Sequence, residues 1–237
     1  MKKGRVFIGV AILLLMMVGG YFLGPGQNIV KLRNAPSNEA NAEPNSHTDA
    51  DTDTPVPKKV LKEYWSRRLP KNVSLLVFKL ELVLEVWSLE NNKWVFVESY
   101  PILGASGTLG PKLREGDFQV PEGIYKVIGL NPNSRFCRSL LIDYPNEFDW
   151  AKARIDGRTQ LGGSICVHGS NVSIGCVAMG DEVSKDLFWL ASQIGMKHLK
   201  VIIAPWDFRK KKPENLTYDP EWTKELYEIL TNELKKY

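Results

Sequence analysis

Histidine and cysteine are scarce in this sequence, three of each in 237 residues. An odd number of cysteines leaves at least one thiol without a partner inside the chain. An excess of charge of one sign is lacking too: 31 Lys and Arg against 27 Asp and Glu give a net charge of +4. That charge is evenly spread, and no basic stripe carries interleaved aromatics, which sets nucleic acid aside as a partner. Charge is absent altogether from Val6 to Leu23, behind Lys2, Lys3 and Arg5. A run of roughly 18 apolar residues is at the short end of what spans a bilayer as a helix. No cysteine directly follows it, so nothing supports a lipid-modified anchor, and the nearest Ala-x-Ala pattern, Ala40 to Ala42, lies far downstream for signal cleavage. We expect an uncleaved signal anchor over residues 1–23 with the positive end in the cytoplasm, a cleaved signal peptide being the alternative.

Residues 24–58 have few large apolar side chains and many Pro, Asn, Ser, Asp, Thr and Ala. Such a segment buries too little surface to offset its conformational entropy and reads as a flexible tether. His47 falls in it, without companions that would make it a ligand. What remains, residues 59–237, is long enough for one sizeable core, and the composition, 43% hydrophobic and 24% charged, is that of an ordinary globular protein.

Within that domain Leu61 to Leu69 reads as a short helix stopped by Pro70. Val73 to Lys79, Leu82 to Trp87 and Trp94 to Tyr100 read as strands of an antiparallel meander, with Asn91-Asn92 as a hairpin turn. Pro101 to Glu122 is rich in Gly and Pro and reads as loop. Ile124 to Leu130 and Ser139 to Tyr144 are further strands, with Asn131-Pro132-Asn133-Ser134 turning between them. Val183, Leu187, Leu190, Ala191 and Ile194 recur at helical spacing between Gly180-Asp181 and Gly195, which makes Phe188 and Trp189 core rather than a ligand platform. Leu199 to Ala204 is a last strand, and Glu221 to Lys236 an amphipathic helix. The fold class is mainly β with a few helices.

The chemistry concentrates between Val167 and Met179, where His168 and Cys176 stand eight apart across small and turn-forming residues. His168 closes an apolar run, Leu161 to Val167, that reads as a buried strand. A thiol with a pKa of about 8.5 is mostly protonated at neutral pH, so a cysteine nucleophile needs a neighbouring base, and histidine suits. Gly175 before Cys176 leaves backbone N–H groups free to face an oxyanion, and Ser173 reads as a turn residue with a supporting hydrogen bond. His198, far from the motif, reads as a surface or core residue.

The ordered combination of His168-Gly169 and Ser173-x-Gly175-Cys176-Val177-x-Met179 resembles the signature of the YkuD-type L,D-transpeptidases. Upstream matches extend it: Gly110-Pro-Lys112, Glu115-Gly-Asp117, Val120-Pro-Glu-Gly-Ile-Tyr125, Leu130-Asn-Pro-Asn-Ser134 and Tyr144-Pro-Asn146. Together, over roughly residues 73 to 205, they look most like the YafK-like branch of that family. The resemblance implies a partly open β-sandwich or barrel, no cofactor, and cysteine-dependent acyl transfer at the L-centre of diaminopimelate in peptidoglycan stem peptides. Cell-wall crosslinking, remodelling and cell shape would be the setting, with an inner-membrane anchor and a periplasmic catalytic domain. It implies Cys176 as nucleophile, His168 as base, an oxyanion hole at Gly175 and Cys176, and a backbone carbonyl near Gly169 as the acceptor that orients the imidazole. The branch also includes an amidase that releases an outer-membrane lipoprotein from diaminopimelate. A non-catalytic wall-binding module is a further alternative, although a binder has no need of a base beside a thiol.

One departure concerns substrate binding. Many members carry an arginine two residues after the nucleophile, where this chain has Ala178. Arg135 and Arg138, with Arg154 and Arg158 behind them, are the candidates to supply that charge. Of the remaining cysteines, Cys137 and Cys166 could form a disulfide or Cys166 could stay a buried free thiol. A zinc site of Cys166, His168 and Cys176 is the metal alternative; its spacing fits no structural zinc pattern and it lacks a fourth ligand.

Overall fold

The computed structural model describes residues 61–65, 68–214 and 219–237. The anchor 1–23, the tether 24–58 and His47 lie outside the described residues. Among the described residues no helix is long and apolar enough to cross a membrane.

The chain enters through α1 (Leu61–Tyr64), shorter than the Leu61 to Leu69 span expected, and then forms the antiparallel meander β1 (Val73–Phe78), β2 (Val83–Glu90) and β3 (Lys93–Pro101). Asn91 and Asn92 both hold positive φ, 49° and 63°, the left-handed pair that matches a tight turn to the twist of a hairpin. The segment read as loop after β3 contains a two-residue strand, β4 (Gly104–Ala105).

Strands β5 (Gly123–Ser134) and β6 (Cys137–Ile142) correct the expected turn. Asn131 to Ser134 stay in the strand and the chain reverses at Arg135-Phe136. A register shift between Asn131 and Ser134 absorbs Pro132, which has no N–H to give to a ladder. The helix α2 (Glu147–Ile155) was not anticipated. Its signal is local: the Asp149 N–H donates to the Asn146 side chain at 3.1 Å, and the Asn146 N–H returns to the Asp149 carboxylate at 2.9 Å. The expected buried strand from Leu161 narrows to β7 (Cys166–His168), followed by β8 (Val177–Ala178), α3 (Asp181–Ile194), β9 (Leu199–Ala204) and α4 (Thr223–Leu234).

The nine strands run in the order β3-β2-β1-β9-β5-β6-β7-β8-β4. The sheet is open, ending at β3 and β4, not closed as a barrel. Its bend lies in β5: Gly123 to Lys126 pair with β9, while the rest of the strand, from Val127, pairs with β6. Alternation along β1 and β9 sends Leu75, Val77, Val201 and Ile203 into one core with Leu140, Val167, Val177 and the α3 residues Leu187 and Leu190. Leu76, Phe78, Ile202 and Ala204 face the other way, onto Leu226, Tyr227 and Leu230 of α4. With both faces covered, all six residues of β1 are buried, and each large aliphatic side chain there contributes about 1.5–3 kcal/mol.

The motifs upstream of the site turn out to be fastenings. Lys79, fully buried, donates to Gly110 O at 2.9 Å, Val120 O at 3.0 Å and Glu122 Oε1 at 2.9 Å. Glu122 also accepts from the Gly110 N–H at 2.7 Å and the Tyr227 hydroxyl at 3.0 Å, so one ion pair ties β1, the loop, β5 and α4. Asp117 pairs with Lys112 and accepts the Leu113, Arg114 and Gln119 N–H groups, each at 3.0 Å. These bonds hold its carboxyl below the ordinary carboxylate range against its partial burial.

Candidate active site

His168 ends β7 and Cys176 immediately precedes β8. The two strands pair in parallel, Val167 with Val177 and His168 with Ala178. Parallel neighbours ordinarily need a long crossover, but β7 and β8 span three and two residues, so the eight residues between them suffice to retrace the chain. Gly169 sits where this loop departs. A Cβ there would lie 2.5 Å from Asp181 Oδ1, 2.7 Å from Cys137 Cβ and 2.8 Å from Phe136 O, which leaves no room for a side chain. The Gly169 N–H donates to Phe136 O at 3.0 Å, and the Ser170 N–H to Asp181 Oδ1 at 2.8 Å.

At the far end of the loop Ser173 gathers the backbone. Its hydroxyl accepts from the N–H groups of Ser106, Gly175 and Cys176 at 3.3, 3.2 and 3.1 Å, and donates to Cys176 O at 2.6 Å. The N–H groups expected around an oxyanion therefore point at a hydroxyl in this structure and build the turn. Gly175 holds φ at 122°, a backbone shape that only glycine adopts without strain.

His168 is buried, 4% exposed, with Nδ1 2.6 Å from its neighbour's carbonyl, Gly169 O. The carbonyl can only accept, so Nδ1 carries the proton and Nε2 is the nitrogen left for the Cys176 thiol, whose pKa the imidazole helps to lower. Phe136 lies over the ring at 5.1 Å, and the Arg135 guanidinium lies 5.9 Å from Phe136. Phe136 thus borders the imidazole, and Arg135 packs on Phe136. The Arg138 guanidinium rests on Phe188 of α3, 5.0 Å away, and Phe188 and Trp189 pack against the core. His198 is elsewhere, with Nδ1 3.1 Å from Asn72 Oδ1. Arg158 binds Asp156 and Leu113 O, so it is committed structurally.

The residue that sequence reasoning missed is Cys166. All three cysteines are free thiols, so the Cys137–Cys166 disulfide is not formed. Carrying the β7–β8 register one step back places Cys166 beside Cys176. Its N–H donates to Cys176 Sγ at 3.4 Å, and both sulfurs lie near Ser164 O, at 3.7 and 3.9 Å. The neighbouring Cys166 side chain lowers the Cys176 pKa to about 5; burial opposes this, and His168 and the Cys166 N–H add to it. Cys166 in turn is pushed up, by the Cys176 side chain and by burial beside a thiolate. The signal was the spacing: residues 166 and 168 each stand ten before a residue of the facing strand. Among the described residues no three His, Cys, Asp or Glu side chains converge as a metal site would require.

A fixed imidazole beside a thiol held as thiolate, on a mainly-β scaffold, is the equipment of a cysteine-dependent enzyme. The model of the YkuD family, the L,D-transpeptidase catalytic domain, matches residues 84–203, and the chain belongs to that family. It is 34% identical over 152 residues to YafK of Escherichia coli strain K12, a protein named as an L,D-transpeptidase, covering 62% of this chain and 59% of that one. The chain thus matches about three fifths of this relative's length. Among solved structures it is similar to the helical cell shape determining protein Pgp2 of Campylobacter jejuni, 22% identical with a TM-score of 0.47 over 68% of this chain and 52% of that one. Bd1075 of Bdellovibrio bacteriovorus is similar at 20% identity and a TM-score of 0.43, over 70% and 55% of the two chains.

Proposed function

We propose that this chain is an L,D-transpeptidase: a cysteine-dependent acyltransferase that acts on diaminopimelate-containing stem peptides of peptidoglycan. Residues 1–23 would anchor it in the inner membrane, and the tether 24–58 would carry the catalytic domain 59–237 into the periplasm. The observation that carries this reading is the Cys176–His168 pair, with the thiol lowered to about 5 and the imidazole locked by Gly169 O at 2.6 Å.

In this mechanism His168 Nε2 takes the Cys176 thiol proton and the sulfur attacks the carbonyl at the L-centre of diaminopimelate, forming a C–S bond and an oxyanion. Collapse breaks the C–N bond, and the departing amine takes a proton from His168 Nε2. An acceptor amine then attacks the thioester and gives a proton to His168 Nε2, and the C–S bond breaks to release Cys176, which recovers that proton. Water in place of that amine would make the same site an amidase, able to free a lipoprotein linked to diaminopimelate. With Ala178 where the family often has arginine, Arg135, packed on the ring that lies against His168, would be the cation for a substrate carboxylate.

The test compares the full chain with Cys176→Ala on sacculi that still carry bound lipoprotein, reading muropeptides by mass spectrometry. New diaminopimelate crosslinks or amino-acid exchange, absent from the variant, are the expected result. Loss of lipoprotein residues without new links would establish hydrolysis instead, and identical products from both proteins would sink the catalytic reading.

A further inference from the structure

Cys166 has no place in the acyl-transfer steps, yet it is half-buried against the one sulfur those steps depend on. Cys166 opens β7 and Cys176 immediately precedes β8, so the two face each other one step before the paired parallel residues Val167 and Val177; paired backbones lie about 4.8 Å apart, inside the Cα separation that disulfides span, about 4.4–6.8 Å. The 3.4 Å bond from the Cys166 N–H to Cys176 Sγ, and the shared approach of both sulfurs to Ser164 O, show that the side chains point to the same place. Cys137, the third thiol, is set apart. It lies across Gly169, with its Cβ 2.7 Å from where a Gly169 Cβ would stand.

We propose that Cys166 is the resolving thiol of Cys176, so that oxidation of Cys176 by a peroxide is captured as a Cys166–Cys176 disulfide that closes the site reversibly. The Cys176 thiolate attacks one peroxide oxygen: an S–O bond forms, the O–O bond breaks, and hydroxide leaves and takes up a proton to become water. Sulfur is thereby oxidised to a sulfenic acid and the peroxide is reduced. Cys166 then attacks the sulfenic sulfur, an S–S bond forms, the S–O bond breaks, and the Cys166 proton leaves with that oxygen as a second water. Two thiols and one peroxide give one disulfide and two waters. Capture at this stage prevents further oxidation of Cys176 to sulfinic and sulfonic acids, which thiols do not reverse. The low pKa of Cys176 favours the first step, since the thiolate is the reactive form. That the disulfide abolishes activity rests on the reading of Cys176 as the nucleophile; that it forms does not.

The experiment treats the reduced full chain with hydrogen peroxide, then maps the products by peptide mass spectrometry with and without dimedone. The expected result is a 166–176 crosslinked peptide, loss of two thiols, no dimedone adduct, and return of sacculus activity to the untreated level with dithiothreitol. Cys166→Ala and Cys166→Ser should each give a dimedone-trapped sulfenic acid or higher oxide on Cys176, not restored by reduction, while Cys137→Ser should behave as the parent. Sulfinic or sulfonic acid on Cys176 of the parent with Cys166 still free, or a disulfide that includes Cys137, would overturn the proposal, and this mapping needs no variant to fold. A reduced protein that forms the disulfide but has no activity on sacculi would instead sink the transpeptidase reading and leave the thiol pairing standing.

Discussion

The hydroxyl of Ser173 lies 2.6 Å from the carbonyl oxygen of Cys176, and the Cys176 N–H returns to the same hydroxyl at 3.1 Å. One small side chain thereby fixes both backbone groups of the proposed nucleophile, together with the N–H groups of Gly175 and Ser106. Ser173→Ala strands those buried donors, and the expected cost is about 1–3 kcal/mol. Urea denaturation of the two proteins measures it, and an unchanged midpoint would show that the loop is held by other means.

The thiol pair sets a pH dependence. Alkylation of Cys176 by iodoacetamide should rise with a midpoint near pH 5, and His168→Gln should move that midpoint up. The sign of the stability effect follows from the two shifts. Cys176 has a folded pKa below that of an unfolded thiol, about 8.5, so its contribution is present above that value and lost as pH falls through about 5. Cys166 is shifted the other way, so above the unfolded value the folded state keeps a proton that the unfolded chain gives up, and stability falls again. Chemical denaturation across pH 5 to 9, compared with Cys176→Ser, should show a maximum that the variant lacks.

Lys79 and Glu122 form an ion pair with both side chains fully buried. Burial pulls the Lys79 pKa down and Glu122 holds it up. Removing one partner leaves the other charged and unpaired in the core, so Lys79→Met should cost about 3–5 kcal/mol. Adding Glu122→Leu should recover part of that loss. Thermal unfolding of the single and double variants tests it, and a single variant as stable as the parent would refute it.

Arg135 and Arg138 were equal candidates in sequence, and the fold separates them. Arg135 packs on Phe136, the ring that lies against His168, while Arg138 is stacked on Phe188. Arg135→Ala should lower kcat/KM on a stem peptide about 10- to 100-fold, mainly through KM, the loss of a charged hydrogen bond worth about 1.5–3 kcal/mol. Arg138→Ala should leave it unchanged. Equal effects from the two variants would remove Arg135 from the substrate site.

Much of the fold was legible because its signals are local. The meander, the Asn91-Asn92 turn and the helix from Asp181 to Ile194 each follow from residues a few positions apart, through period-two and period-3.6 patterns and turn chemistry. The missed helix at Glu147 had a capping box written with Asn and Asp in place of the commoner Ser and Glu. The misplaced turn at Asn131 to Ser134 was a bulge, which depends on the partner strand and not on the residues alone.

By itself the sequence determined the chemistry available: one histidine and one cysteine in a glycine-bounded motif, with the glycine at 169 that the loop demands and the one at 175 whose φ of 122° the turn requires. Those requirements are set by the backbone within a few residues, so they leave a mark in the letters. Only the tertiary structure decided that the site holds a second thiol, that Ser173 binds the Gly175 and Cys176 N–H groups, and that Arg135 packs on Phe136, the ring against His168, while Arg138 packs on Phe188. Each depends on strand register or on packing between distant segments: a shift of one residue would turn Cys166 to the other face of the sheet and leave Cys176 without its neighbour.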